Sequence, residues 1–318
     1  MSKRVTMLVV VALLLLGVVA AGCADSTPTT PTTPTAPTTP TTPTTPSQPA
    51  AQVITWIGQS ALPAGNPPTE GLERLSASIS AASNGQLIMK SNPAGAVVPA
   101  TEEWKHISSG VLDYCAGGVS YMAQDMRFGT AYSQLPAGMP PLPNLIFHKA
   151  EGGDIMNKWY VIKGWTLYDI PGGGFHGLPE IWISTNKPIS GPEDLKGMKM
   201  RASGDCGKIL DMMGVGTVFM PLGELFEAMQ RGVVDAFEAS CPAFNYSMGM
   251  HEACKYNYLS PSRAPCEVYA FLVNIDKFHA LPAHLQAVVS ECAQAESIKY
   301  NEMLHTRNAV ALKAMADY

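Results

Sequence analysis

Two side chains stand where apolar strand patterns end. Arg201 closes Met198-Lys199-Met200-Arg201, and Glu238 closes Val233-Val234-Asp235-Ala236-Phe237-Glu238. Residues at the strand ends of an α/β sheet face the crevice in which such folds bind ligands. A guanidinium there presents a planar fork of donors that matches a carboxylate with two parallel hydrogen bonds. Its plainer use would be a surface pair with Asp205 or Glu193. A carboxylate ending so apolar a run needs a cation, because burying an unpaired charge is costly. Arg201, a metal ion or a ligand amine could each meet that need.

Weaker candidates sit at other strand ends: Gln59 and Ser60 after the first strand, Ser120 and Tyr121 after Gly117-Gly118, and Asn274 after Phe271-Leu272-Val273. Each could serve a cleft or only the fold. Bond-making chemistry has no comparable constellation. His106, His148, His176, His251, His279, His284 and His305 are scattered, with no HExxH and no GxSxG, so no nucleophile with its base can be named. His251 with Cys254, and His279 with His284, fall short of a four-ligand zinc pattern. Gly172-Gly173-Gly174 lacks the strand-to-helix setting of a phosphate loop. A net charge of −5 argues against a nucleic-acid partner. The expectation is a binding protein and not an enzyme.

Alternating elements must position these groups. Val53 to Ile57 reads as a strand, and Leu72, Leu75, Ile79 and Ala82 mark a helix that Asn84-Gly85 stops. Leu87 to Lys90 is a strand, Thr101 to Ile107 a helix with acids at its positive end, and Val111 to Ala116 a strand. The grammar restarts with a strand from Pro179 to Ser184 that reaches towards Ile189. A turn at Pro192 to Gly197 follows, then strands at 198–201, 215–220 and 233–238 with helices at 205–213 and 223–231 between them. Such alternation predicts right-handed βαβ units, mainly parallel sheets and two α/β lobes with a ligand cleft between them.

The start of the chain reads differently. Lys3 and Arg4, the apolar stretch Met7 to Ala21, and Ala20-Ala21-Gly22-Cys23 form a signal peptide over 1–22. The apolar run is shorter than the roughly 20 residues of a spanning helix. The cysteine after Gly22 looks like a lipobox, with Ala20 where Leu is commonest, and implies lipidation of Cys23. Residues 23–51 are then a lipidated Cys and a Thr/Pro-rich stalk, too poor in apolar side chains to fold. In a polyproline-type form, at about 3.1 Å per residue, it could span roughly 70–80 Å. The organisation expected is an extracytoplasmic, lipid-anchored two-lobed domain over 52–318. Lobe I is mainly 52–177 with part of 239–270; lobe II is mainly 178–238 with part of 270–318. Of seven cysteines, six remain beyond Cys23; Cys241–Cys254 and Cys254–Cys266 are spaced to close a loop.

An ordered set of phrases then resembles one family. Asn92-Pro93-Ala94-Gly95-Ala96, Asp194-Leu195-Lys196-Gly197-Met198-Lys199-Met200-Arg201, Pro221-Leu222-Gly223-Glu224, Ala228-Met229-Gln230-Arg231-Gly232 and Gly232-Val233-Val234-Asp235-Ala236 with Glu238 are similar to the periplasmic solute receptors of TRAP transporters, the DctP-type family. The resemblance runs from Trp56 to about Leu312. It implies a two-lobed periplasmic-binding-protein-like fold that closes on a small organic acid. It also implies delivery to a permease of two membrane subunits, driven by an ion gradient. A ligand-sensing protein presenting its closed form to a sensor kinase is the alternative with the same pocket.

The resemblance makes Arg201 the carboxylate-binding arginine. It makes Glu238 the acid that, in the 2-oxoacid branch, coordinates a metal ion beside the ligand. That branch has Trp after this acid, here Ala239, and Gln 21 positions before the arginine, here Glu180. Glu180 and Glu238 could hold a bridging Ca2+ or Na+ ion, or accept hydrogen bonds directly from a hydroxy or amino acid. Glu180 could also act only in the hinge. Trp182 could wall the pocket in place of the absent Trp. The pattern also implies that the chain stops within a helix that leads to a further strand and helix.

Overall fold

The computed structural model describes residues 52–260 and 262–318. The expected signal peptide, Cys23 and the stalk lie outside the described residues. Eleven strands are present among them: β1 (Ile54–Ser60), β2 (Leu87–Asn92), β3 (Tyr114–Gly118), β4 (Leu167–Asp169), β5 (Phe175–His176), β6 (Ile181–Thr185), β7 (Lys199–Arg201), β8 (Gly216–Val218), β9 (Ala236–Phe237), β10 (Tyr256–Leu259) and β11 (Val268–Asn274). They form two sheets, one in the order β2-β1-β3-β11-β4 with β5 also on β11, the other β10-β6-β9-β7-β8.

The first sheet shows why the local patterns were legible. Helix Pro67–Ala82 starts on two prolines, whose missing N–H groups cost nothing in a first turn. It buries Leu72, Leu75 and Ile79 completely against the sheet, worth about 1.5–3 kcal/mol each. It stops where Asn84 and Gly85 take positive φ, 50° and 74°, a backbone these two residue types tolerate best. All seven side chains of β11 are buried, as its place between β3 and β4 requires. Helix Ala283–Asp317, 35 residues and roughly 50 Å long, packs on helix Pro67–Ala82 and on helix Pro242–Ser247. Arg74 of the first of these lies 2.7 Å from the buried carboxylate of Glu296 on the long helix.

Three expectations change. The sheets are mixed and not mainly parallel: β1 pairs in parallel with β2 and β3, and β7 with β8 and β9, but β4, β5, β6, β10 and β11 pair antiparallel. The βαβ grammar sees only local crossovers, whereas these antiparallel strands flank the segments in which the chain passes from one sheet to the other. Sheet membership also gives the shared segment 239–318 a finer division than expected, with β10 in the second sheet and β11, which runs across residue 270, in the first. Finally, all six described cysteines are free, so neither Cys241–Cys254 nor Cys254–Cys266 is bridged. Cys254 Sγ instead donates to the Met250 carbonyl at 3.3 Å.

Candidate functional site

Both sheets present strand ends to one cavity of about 420 Å3, lined by residues that include Ser120, Tyr121 and Arg127 on one side and Ser203, Gly204 and Phe219 on the other. On the first side β3 ends at Gly118 and turns at once through Val119–Met122. A side chain at Gly118 would meet the Tyr121 ring at 2.8 Å, so the glycine lets this ring lie back on the strand end. On the second side β7 runs into helix Gly204–Met212, whose N-terminal residues border the cavity and offer unpaired backbone N–H groups to an anion. Beside the cavity, Thr130 Oγ1 donates to Asp205 Oδ2 at 2.5 Å and links the two sides. The neighbouring Lys208 ammonium, then this bond, holds the Asp205 carboxyl below its ordinary range.

Arg201 ends β7 and is buried, 1% exposed. Its Nε donates to the Met220 carbonyl at 3.2 Å and its Nη1 to the Glu238 carbonyl at 2.6 Å. Phe219 lies under the guanidinium, 5.7 Å from the ring centre. Arg201, Glu180 and Glu238 are not themselves among the cavity-lining residues; the fork lies next to Phe219, which is, with Nη1 only 3.6 Å from Glu238 Oε1. Glu238 follows β9, whose Phe237 is in register with Arg201. Its Oε1 accepts from the backbone N–H of Ser203 and, at 3.0 Å, from the Ser203 hydroxyl.

Arg263, which sequence reasoning missed, completes the cluster. Its Nη1 donates to Glu180 Oε2, its Nη2 lies 2.6 Å from Glu238 Oε2, and its Nε donates to Cys206 Sγ at 3.0 Å. Gln134 Nε2 donates to Glu180 Oε1 and to Glu267 Oε1, each at 2.9 Å, and the Ser240 hydroxyl donates to Glu267 Oε2 at 3.3 Å. Burial pushes the Glu180 carboxyl up to about 7, against the pull of Arg263 and with a further push from Glu238. Burial, then the nearby Glu180, raises Glu267 well above the usual carboxylate range. Most of these groups lie where the chain passes between sheets: Glu180 between β5 and β6, Arg263 and Glu267 between β10 and β11. The network thus ties the crossing segments to the floor of the cavity.

The remaining predicted residues are placed as follows. Tyr121 and Ser120 line the cavity. Trp182 packs against the core of the second sheet and is not among the cavity-lining residues. Gln59 takes the structural of its two expected roles. It is fully buried, accepts from the N–H groups of Val97 and Val98, and donates to the Val98 carbonyl and to Glu103. Burial pushes that glutamate up to about 7. Asn274 is likewise structural: it caps helix Ile275–His279 through Lys277 N–H and donates to the Ile107 carbonyl. His148 Nε2 lies 3.2 Å from Asp169 Oδ1 with His176 beside it. That group is sealed in the first lobe's core, where burial lowers His176 well below its ordinary value.

Two mixed sheets, with a buried arginine and acids clustered at the strand ends of the second, have the architecture of a two-lobed solute receptor. The chain belongs to the DctP family, family 7 of the bacterial extracellular solute-binding proteins, whose model matches residues 57–317. It is 24% identical over 219 residues to a monocarboxylate 2-oxoacid-binding periplasmic protein of Nostoc sp., a match covering 69% of this chain and 59% of that relative. The chain thus spans less than two thirds of that relative's length.

The fold is shared with a TRAP periplasmic solute-binding protein of Pseudoalteromonas atlantica holding sodium and pyruvate (TM-score 0.77, 23% identity, 84% of this chain and 80% of that one). A second, from Colwellia psychrerythraea, holds calcium and pyruvate (TM-score 0.77, 22% identity, the same coverage). The expected Ca2+ or Na+ beside the ligand thus has counterparts in those neighbours. In this chain the acids that would hold such an ion, Glu180 and Glu238, have the Arg263 guanidinium between them.

Proposed function

We propose that this protein captures a small organic acid, of the 2-oxo or 2-hydroxy carboxylate class, outside the cytoplasm and delivers it to a TRAP-type, ion-gradient-driven permease. The observation that carries the reading is Arg201, buried at the end of β7 behind Ala202 and Phe219 of the cavity wall, which the N-terminus of helix Gly204–Met212 also borders. Guanidinium and helix N-terminus both favour an anion. Glu238 holds the frame of this site by bonding Ser203, the residue that opens the helix. No bond of the ligand is made or broken, and the acid is held and then released unchanged.

Ala239, buried and small, stands where the 2-oxoacid branch carries Trp. Ala239 itself packs in the apolar core, and the cavity of about 420 Å3 has room for an acid with a longer chain or more polar substituents than pyruvate. Calorimetric titration with a panel of 2-oxo and 2-hydroxy acids should give micromolar or tighter binding to at least one; silence across the panel would overturn the reading. Cys23 is proposed to carry the lipid. Cys23→Ser should move the protein from the membrane fraction to the soluble extracytoplasmic fraction, and an unchanged distribution would remove the anchor.

A further inference from the structure

We propose that Arg263 does in this chain the work of a bound metal ion, its guanidinium joining Glu180 to Glu238 at the floor of the cleft so that ligand capture needs no Ca2+ or Na+. The claim about capture rests on the function proposed above; the claim about the ion stands on the cluster alone.

The geometry leaves little for a metal to take. Arg263 donates to Glu180 Oε2 through Nη1 and to Cys206 Sγ through Nε, and its Nη2 pairs in charge with Glu238 Oε2 at 2.6 Å without hydrogen-bond alignment. The other two carboxylate oxygens are also engaged: Glu180 Oε1 by Gln134, and Glu238 Oε1 by Ser203. Calcium takes six to eight oxygen ligands at about 2.3–2.6 Å. A Ca2+ placed between these acids would have to displace a buried guanidinium and sit against its positive charge. Among the described residues no group of three or more His, Cys, Asp or Glu side chains has a metal-holding arrangement.

Charge balance points the same way. Glu180, Glu238 and Glu267 face Arg201 and Arg263, which leaves one negative charge over. Burial raises the Glu267 carboxyl well above the usual carboxylate range, a direction that favours its neutral form over a buried unpaired charge.

The test uses the whole protein, dialysed against EDTA into sodium-free choline buffer. CaCl2 and then NaCl are titrated while heat and melting temperature are followed. The wild type should take up neither ion stoichiometrically, and its melting temperature should not move. Stoichiometric uptake of either ion would overturn the proposal. Arg263→Gln, which frees both acids, should gain a Ca2+-dependent rise in melting temperature. A folded variant indifferent to Ca2+ would also count against it, and if the variant does not fold the wild-type titration decides. An acid from the panel should bind equally tightly with EDTA and with added Ca2+; tenfold weakening by EDTA that Ca2+ restores would overturn the claim. Absence of any acid binding alongside absent ion uptake would defeat the functional reading and leave the role of Arg263 intact.

Discussion

Arg201 and Arg263 are both buried and both touch Glu238, yet they are held in opposite ways. Arg201 donates to two backbone carbonyls, through Nε and Nη1. Carbonyls orient a guanidinium without cancelling its charge. Arg263 lies between two carboxylates, and its charge is spent on them. Arg201 has one acid, 3.6 Å away, and two carbonyls; Arg263 joins two costly buried acids into a frame. The same residue type therefore serves attraction in one place and architecture in the other, and the partners of the guanidinium decide which.

The largest effect should come from breaking the frame. Arg263→Ala leaves two buried carboxylates without their cation, and chemical denaturation should show a loss of about 3–5 kcal/mol. A loss below about 1 kcal/mol would reduce the pairs to the level of surface bridges. Arg201→Ala should instead weaken acid binding by about 2–3 kcal/mol, roughly thirty- to a hundred-and-fiftyfold. Arg201→Lys, which keeps the charge and loses the fork, should recover part of that. Equal affinity in wild type and both variants would collapse the distinction between the two arginines.

The pH dependence sharpens the contrast between paired and unpaired acids. Glu103 has only neutral partners, and burial holds its carboxyl near 7 against an ordinary 4.5. A carboxyl raised on folding favours the folded state fully below about 4.5, and that contribution is lost as pH climbs through 7. Stability should therefore fall between pH 5 and pH 8, and Glu103→Gln should flatten the fall by about 2 kcal/mol. Glu180 adds a loss over the same window. Asp205, held below 3.8, acts only at lower pH. A profile identical in wild type and Glu103→Gln would contradict this. The smallest effect is expected at Thr130→Ala, which removes the bond to Asp205 that links the two sides, about 1 kcal/mol, read as slightly weaker acid binding.

Much of this was legible in the sequence, and the limits have physical causes. The helices of the βαβ units follow the apolar period, and their stops follow Gly and Asn. Arg201 and Glu238 stood out because each ends an apolar run. Strand β9 is shorter than its pattern, Ala236–Phe237 against an expected 233–238, because Val233 is exposed on the turn after helix Leu222–Gln230. Arg263 gave no periodic signal: it lies in a connection, and its partner Glu180 is 83 residues away. Glu267 did offer a signal, an acid opening the fully apolar β11, the same logic that exposed Glu238. Glu103 read only as an acid in a helix's first turn; its burial depends on Gln59, 44 residues earlier.

The most direct measurement is a calorimetric comparison of each acid in the panel with its own primary amide, which keeps shape and removes the charge. If Arg201 and the N-terminus of helix Gly204–Met212 capture a carboxylate, the acid binds at micromolar affinity or better and its amide gives no heat. An amide binding as tightly as its acid would contradict the account.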